Sequence, residues 1–239
     1  MTTVPEYFVI GRACTKGVID DAALGQLLAD KAGFAQTEIE THAAQIQPIE
    51  TAYNLLERIA ATQKRTTDIL LVSLDDIKSE VSLLRQVVND NFKRDDPIFT
   101  QLGLDAEQPG GQTDLLVYAE RAFTNGQTLP ASQAALLTQR KWDTAHFTAT
   151  LAKVTAAQTL NDEQEQAKSE SVAATANLYN LIDEFDKWFR PFAKAERRHL
   201  DKVPGALAKL GLADGLPQKP LRPAAKNPNR KKPVAPPAQ

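Results

Sequence analysis

The sequence predicts an all-α protein, built as tandem duplicated helical hairpins that form an up-down-up-down four-helix bundle with short accessory helices. Three observations lead there. Ala, Leu, Gln, Glu and Lys dominate the chain, while β-branched residues are scattered singly, without the alternating runs of a strand. Apolar residues step by three and four through Ile39, Ile46, Ile49, Tyr53, Leu56, Ala60, Leu70, Leu74, Ile77, Val81, Leu84 and Val88, the period of an amphipathic helix. Finally, Gln101-Leu102-Gly103-Leu104 followed by Pro109 recurs as Lys209-Leu210-Gly211-Leu212 followed by Pro217, with the same spacing to the proline.

These repeats divide the chain into an extended N-terminal segment (1–19), a first helical half (20–109), a second helical half (110–216) and a basic, proline-rich tail (217–239). In each half a short helix is expected first, bracketed by Gly17 and Gly33 or by Gly111 and Gly126 and beginning at Asp20 or Asp114. A long helical region follows, over 35–93 or 130–200, and a Leu-Gly-Leu turn closes the half with glycine at a left-handed C-terminal position. In the second region Leu137, Phe147, Leu151 and Val154 form one apolar stripe. A polar gap separates it from a broader stripe through Leu178, Leu181, Ile182, Phe185, Trp188, Phe189 and Phe192.

Each long region reads as a hairpin. Lys64 and Arg65 suit a helix C-terminus, Thr66, Thr67 and Asp68 suit an N-cap, and Asn161 with Gln164 or Asp162 with Glu165 matches a capping box. The alternative is two very long antiparallel helices. The first would run about 90 Å, and the unbroken phase from Ile39 to Val88 favours it. Pro48 and Pro191 should kink their helices or mark a first turn.

The C-terminal half carries a resemblance. Trp188, Phe192, Ala195, Leu200, Pro204, Leu207 and Leu210-Gly211-Leu212, preceded by Ala173, Thr175 and Asp183, are similar to the ending of a set of uncharacterised bacterial helical-bundle proteins. The resemblance implies a bacterial source and a bundle fold, and it brings no activity with it.

Candidates for chemistry are few. Glu196 and His199 make a Glu-x-x-His step of the kind di-iron bundles use twice, with Asp143/His146 and Glu38/His42 as the nearest second copies. The hairpin arrangement would bring His42, His146 and His199 to one end of the bundle, where with Glu196 they could bind zinc or iron. Against this, Arg197 and Arg198 suit a solvated helix end bearing ordinary surface histidines. Trp142, Phe147, Phe185, Trp188, Phe189 and Phe192 gather toward the same end, either as core filling or as the lining of an apolar pocket. Cys14, the single cysteine, supplies neither a disulfide nor a CxxC pair, and there is no Gly-x-Ser-x-Gly elbow or phosphate-cradling glycine loop. No catalytic residue and no cofactor is assigned.

The net charge of −2 conceals an asymmetry, because the tail holds Lys219, Arg222, Lys226, Arg230, Lys231 and Lys232, seven prolines and no acidic residue. It should be extended and partner-seeking, attractive to an acidic protein surface or to nucleic acid. Without a signal-like N-terminus or a ~20-residue apolar span, a non-membrane, cytoplasmic protein is expected. The reading that results is a non-enzymatic structural or interaction protein, a homo-oligomer or a docking platform for another protein. A metal- or small-molecule-binding bundle and a nucleic-acid-associated protein are the alternatives.

Overall fold

A computed structural model describes residues 3–223. Among these residues the regular structure is entirely helical: α1 (Val4–Ile19), α2 (Ala22–Ala32), α3 (Gln36–Ala43), α4 (Ile46–Asn91), α5 (Ile98–Leu102), α6 (Gln112–Gly126), α7 (Ala131–Gln139), α8 (Thr144–Leu200) and α9 (Ala206–Lys209). The all-α expectation holds.

The hairpin expectation does not. The segments 35–93 and 130–200 each contain one long helix, of 46 residues in α4 and 57 in α8, with no turn at residues 64–68 or 161–165. The residues read as caps are satisfied inside helices. Thr67 donates its hydroxyl back to the Gln63 carbonyl at 2.8 Å and accepts from Gln164 Nε2 at 2.8 Å, while Asn161 Oδ1 accepts from Gln112 Nε2 at 2.7 Å. A threonine whose hydroxyl folds back on the i−4 carbonyl fits a helix interior, so a cap-like composition alone does not end one. Pro48 falls in the first turn of α4, where its missing N–H costs nothing, and α8 continues through Pro191.

The N-terminal segment also differs from expectation, since residues 4–19 form α1 and are not extended. Thr3 and Glu6 make a reciprocal capping box, with Thr3 N–H donating to Glu6 Oε2 at 2.7 Å, and Pro5 stands in the first turn. Tyr7, Gly11, Cys14 and Val18 then recur at four, three and four residues, which buries one face of the helix.

Two compact units result, and they interleave along the chain where two consecutive halves were expected. Unit 1 comprises Met1–Asn54 with Thr175–Gln239, and unit 2 comprises Leu55–Ala174. Each takes one part of α4 and one part of α8. In unit 2 these parts run antiparallel, as the Thr67–Gln164 bond and the contacts of Glu80 with His146 and Lys153 require. Leu70, Leu74, Ile77, Val81, Leu84 and Val88 of α4 pack there with Leu102, Leu116, Phe123, Phe147 and Val154.

Each unit closes on a Leu-Gly-Leu turn of the same geometry. Gly103 has φ 72° and Gly211 has φ 71°. Leu104 N–H reaches back to the Phe99 carbonyl at 2.7 Å, and Leu212 N–H to the Leu207 carbonyl at 2.8 Å, the six-to-one bond of a Schellman ending. The helix packed against this ending is α6 in unit 2 and α1 in unit 1. The counterpart of α6 is therefore α1, whereas the glycine spacing had pointed to α2, which is capped by Asp21 and closed by Gly33.

Candidate functional site

In unit 1 the sequence places an acid where a hydrophobe would be expected. Along α8, Phe185, Phe189, Phe192 and Leu200 succeed one another at helical spacing and are all buried; Glu196 occupies the same stripe and is 0% exposed. Facing it, α1 brings a close-fitting surface. A Cβ on Gly11 would lie 3.0 Å from Phe185 Cε1, and one on Gly17 would lie 2.5 Å from Leu210 Cδ2, so glycine permits both approaches. Between those glycines Cys14 is fully buried and donates its thiol to the Leu210 carbonyl at 3.1 Å.

Neither carboxyl oxygen of Glu196 has a hydrogen-bond partner. Burial is the main cause of a pKa pushed up to about 8, and the Cys14 thiol, which can serve only one acceptor at a time, offsets this slightly. Glu196 is thus a neutral acid at neutral pH. Burial also raises the Cys14 thiol far above its ordinary range, and the carboxyl beside it adds to that rise. A thiol held so firmly protonated is a poor nucleophile and a poor metal ligand. The sequence contained the signal for the burial of Glu196 in its phase on the aromatic stripe, against which the neighbouring Arg197 and Arg198 suit a solvated helix end.

The histidines do not come together as the hairpin arrangement required. His42 and His199 belong to unit 1 and His146 to unit 2. His42 stacks on Trp188, with ring centroids 4.3 Å apart and 13° between planes, and contacts Gln45 Oε1 through Nδ1 at 3.1 Å. Trp188 in turn donates its indole N–H to Glu38 Oε1 at 2.8 Å. His146 lies 3.3 Å from Glu80 Oε2 and packs edge-on against Trp142, while Lys153 holds the other Glu80 oxygen at 2.8 Å. Asp143 accepts the His146 backbone N–H at 2.8 Å, so the Asp-x-x-His step is a helix cap. His199 is half-buried at the end of α8. Among the described residues no three His, Cys, Asp or Glu side chains form a group able to hold a metal ion.

The aromatic residues are likewise shared between the units. Trp142 and Phe147 are buried in unit 2, and Phe185, Phe189 and Phe192 in unit 1, where Tyr7 meets Phe189 edge-on at 5.7 Å. Tyr7 also donates to Asp186 Oδ1 at 2.5 Å, so this stripe is bound into the interior of unit 1.

Of the basic tail residues, Lys219 and Arg222 are described, while Lys226, Arg230, Lys231 and Lys232 lie outside the described residues. The start of the tail lies against α8: Lys219 pairs with Asp183 at 2.6 Å, Tyr179 donates to the Leu221 carbonyl at 3.0 Å, and Pro220 is buried. A cleft of about 580 Å³ opens between this segment and Tyr179, Asp183 and Arg190. Lys219 is therefore engaged within the chain, and Arg222 is exposed.

No known protein family, curated protein or solved structure matches the chain. Among the described residues, no helix is long and apolar enough to cross a membrane.

Proposed function

We propose that this is a non-enzymatic structural or interaction protein, a framework of paired helices that joins other copies or other proteins. The observation that carries the reading lies in unit 2. Between residues 55 and 69, α4 sinks no side chain fully into the interior, yet it presents Leu55 and Ile69, each 43% exposed, with Ile59 half-buried between them. Two helices in contact bury only one face each, and an apolar second face on such a pair is a surface for a further partner.

Two more features support the reading. The residues best suited to chemistry are engaged in packing, with Cys14 and Glu196 buried and His42 and His146 set against tryptophans. The matching Leu-Gly-Leu endings fit a tandem duplication, and the resemblance of the C-terminal ending to bacterial helical-bundle proteins fits a packing role. Cytoplasmic location belongs to the same proposal.

The test is solution mass by light scattering over a concentration series, on the full chain and on a chain ending at Pro223, with metal content measured on the same samples. A mass that rises above 26.2 kDa with concentration is expected. A metal-bearing monomer at every concentration would overturn the proposal in favour of a metal-binding bundle.

A further inference from the structure

The apolar face of α4 in unit 2 has a period of its own. Leu55, Ile59, Thr62, Thr66 and Ile69 follow at four, three, four and three residues, the spacing of a coiled-coil seam. This seam is rotated by roughly 100° from the one that Leu70, Leu74, Ile77 and Val81 bury in the core of unit 2, since one residue advances a helix by about that angle. One helix thus carries two seams, and the core uses one of them.

The open seam forms one wall of a groove of about 290 Å³, lined by Leu55, Arg58, Ile59 and Thr62 from α4 and by Ala167 and Glu170 from α8. Its rims differ in sign. Arg58 and Arg65 stand seven residues apart along the α4 edge, and Glu163 and Glu170 stand seven apart along the α8 edge. All four are exposed, and none makes a salt bridge among the described residues. The antiparallel register set by the Thr67–Gln164 bond puts Arg58 within a helical turn of Glu170 in height, and Arg65 within a turn of Glu163.

A groove with an apolar floor, one basic rim and one acidic rim of equal spacing is complementary to itself. We infer that it is a homodimer interface, in which a second copy of this chain lays its own groove against the first about a two-fold axis parallel to the helices. The α4 seam of each copy then fills the groove of the other. Arg58 and Arg65 of each copy face Glu163 and Glu170 of the partner, and the symmetry repeats every contact. An unrelated acidic or basic helix would match only one rim, which is why a second copy is the favoured occupant. The inference rests on the assembly role proposed above and names its partner and its surface.

Sedimentation equilibrium on the full chain tests it with three variants: Arg58→Glu with Arg65→Glu, Glu163→Arg with Glu170→Arg, and all four together. The wild type is expected to dimerise. Each double variant should weaken the dimer by about a hundredfold or more, as four exposed attractions become repulsions. The fourfold variant should recover wild-type behaviour, and so should an equimolar mixture of the two double variants. Recovery on mixing also shows that the double variants are folded. A dimer whose affinity none of the swaps moves, or a metal-free monomer at all concentrations, would overturn the groove while leaving the role of joining other proteins standing, whereas a metal-bearing monomer would overturn both.

Discussion

The two Leu-Gly-Leu endings share a backbone and differ in what surrounds it. In unit 2, α6 covers the ending with Ala119, Ala122 and Phe123, all fully buried, while the long side chain of Arg121 lies over Gly103 and Asn125 donates to the Gln101 carbonyl at 2.7 Å. In unit 1, α1 sets the Cys14 thiol against the Leu210 carbonyl, and α8 brings a carboxyl without a hydrogen-bond partner beside it. Backbone geometry at such a turn follows from glycine's access to positive φ and from two leucines that face inward. The interior behind it is free to vary, and in unit 1 it has taken up a titrating group that unit 2 lacks.

The largest expected effect exploits that difference. Burial raises the folded-state pKa of Glu196 to about 8 from an ordinary 4.5, so the folded chain holds this proton more tightly than the unfolded chain does. Its contribution to stability is fully present below about pH 4.5 and declines as pH rises, until it is lost above about pH 8. At 1.36 kcal/mol per pKa unit the loss is at most roughly 5 kcal/mol, less any relaxation that admits water to the carboxylate. Glu196→Gln removes the titration, and its thermal unfolding should be nearly level from pH 5 to pH 9 while the wild type loses stability. Trp188 reports on unit 1 and Trp142 on unit 2, so fluorescence of single-tryptophan variants tells which unit responds. A pH slope that survives Glu196→Gln would show that the contrast between the units lies elsewhere.

Much of the fold was legible because helical phase survives any uncertainty about boundaries. The apolar period that starts at Ile39 in α3 runs on from Ile46 to Val88 as a direct record of α4, and the apparent caps at Thr66, Thr67 and Asp68 outweighed it wrongly, because side-chain bonds to the preceding turn and to Gln164 are invisible in sequence. Thr3-Val4-Pro5-Glu6 is a readable capping box at the start of α1, in a segment expected to be extended. At the site, the phase of Glu196 recorded its burial, whereas the partnership with Cys14 across nearly the full length of the chain had no local signal. The grouping of His42, His146 and His199 depended on hairpin connectivity and fell with it.

A smaller effect compares how closely helices approach within each unit. A Cβ on Gly126 would lie 2.3 Å from Phe147 Cε1, and one on Gly17 would lie 2.5 Å from Leu210 Cδ2. The Phe147 ring is buried against Trp142 at a centroid distance of 5.3 Å and cannot turn aside as a leucine methyl can. Gly126→Ala should therefore destabilise by about 1–3 kcal/mol even after the gain in helix propensity, and Gly17→Ala by about half as much. Urea unfolding midpoints at constant m-value measure both. The reverse order would mean that the interior of unit 1 is the more rigid of the two.

The smallest expected difference is the most searching test of likeness between the endings. Gly103→Ala and Gly211→Ala each force an L-residue to φ near +70°, at a cost of about 1–2 kcal/mol. Space should add little at either position. The Cβ at 211 meets Ala13 Cβ and Ile10 Cγ2 at 3.9 Å, an ordinary contact, and the atoms nearest a Cβ at 103 belong to the end of the exposed Arg121 side chain, which can swing into solvent. If backbone strain alone decides, the two losses in urea unfolding should agree within about 0.5 kcal/mol. A markedly larger loss at Gly103 that Arg121→Ala relieves would assign the guanidinium a fixed place over that turn, and the endings would then be alike in backbone but unlike in what holds them.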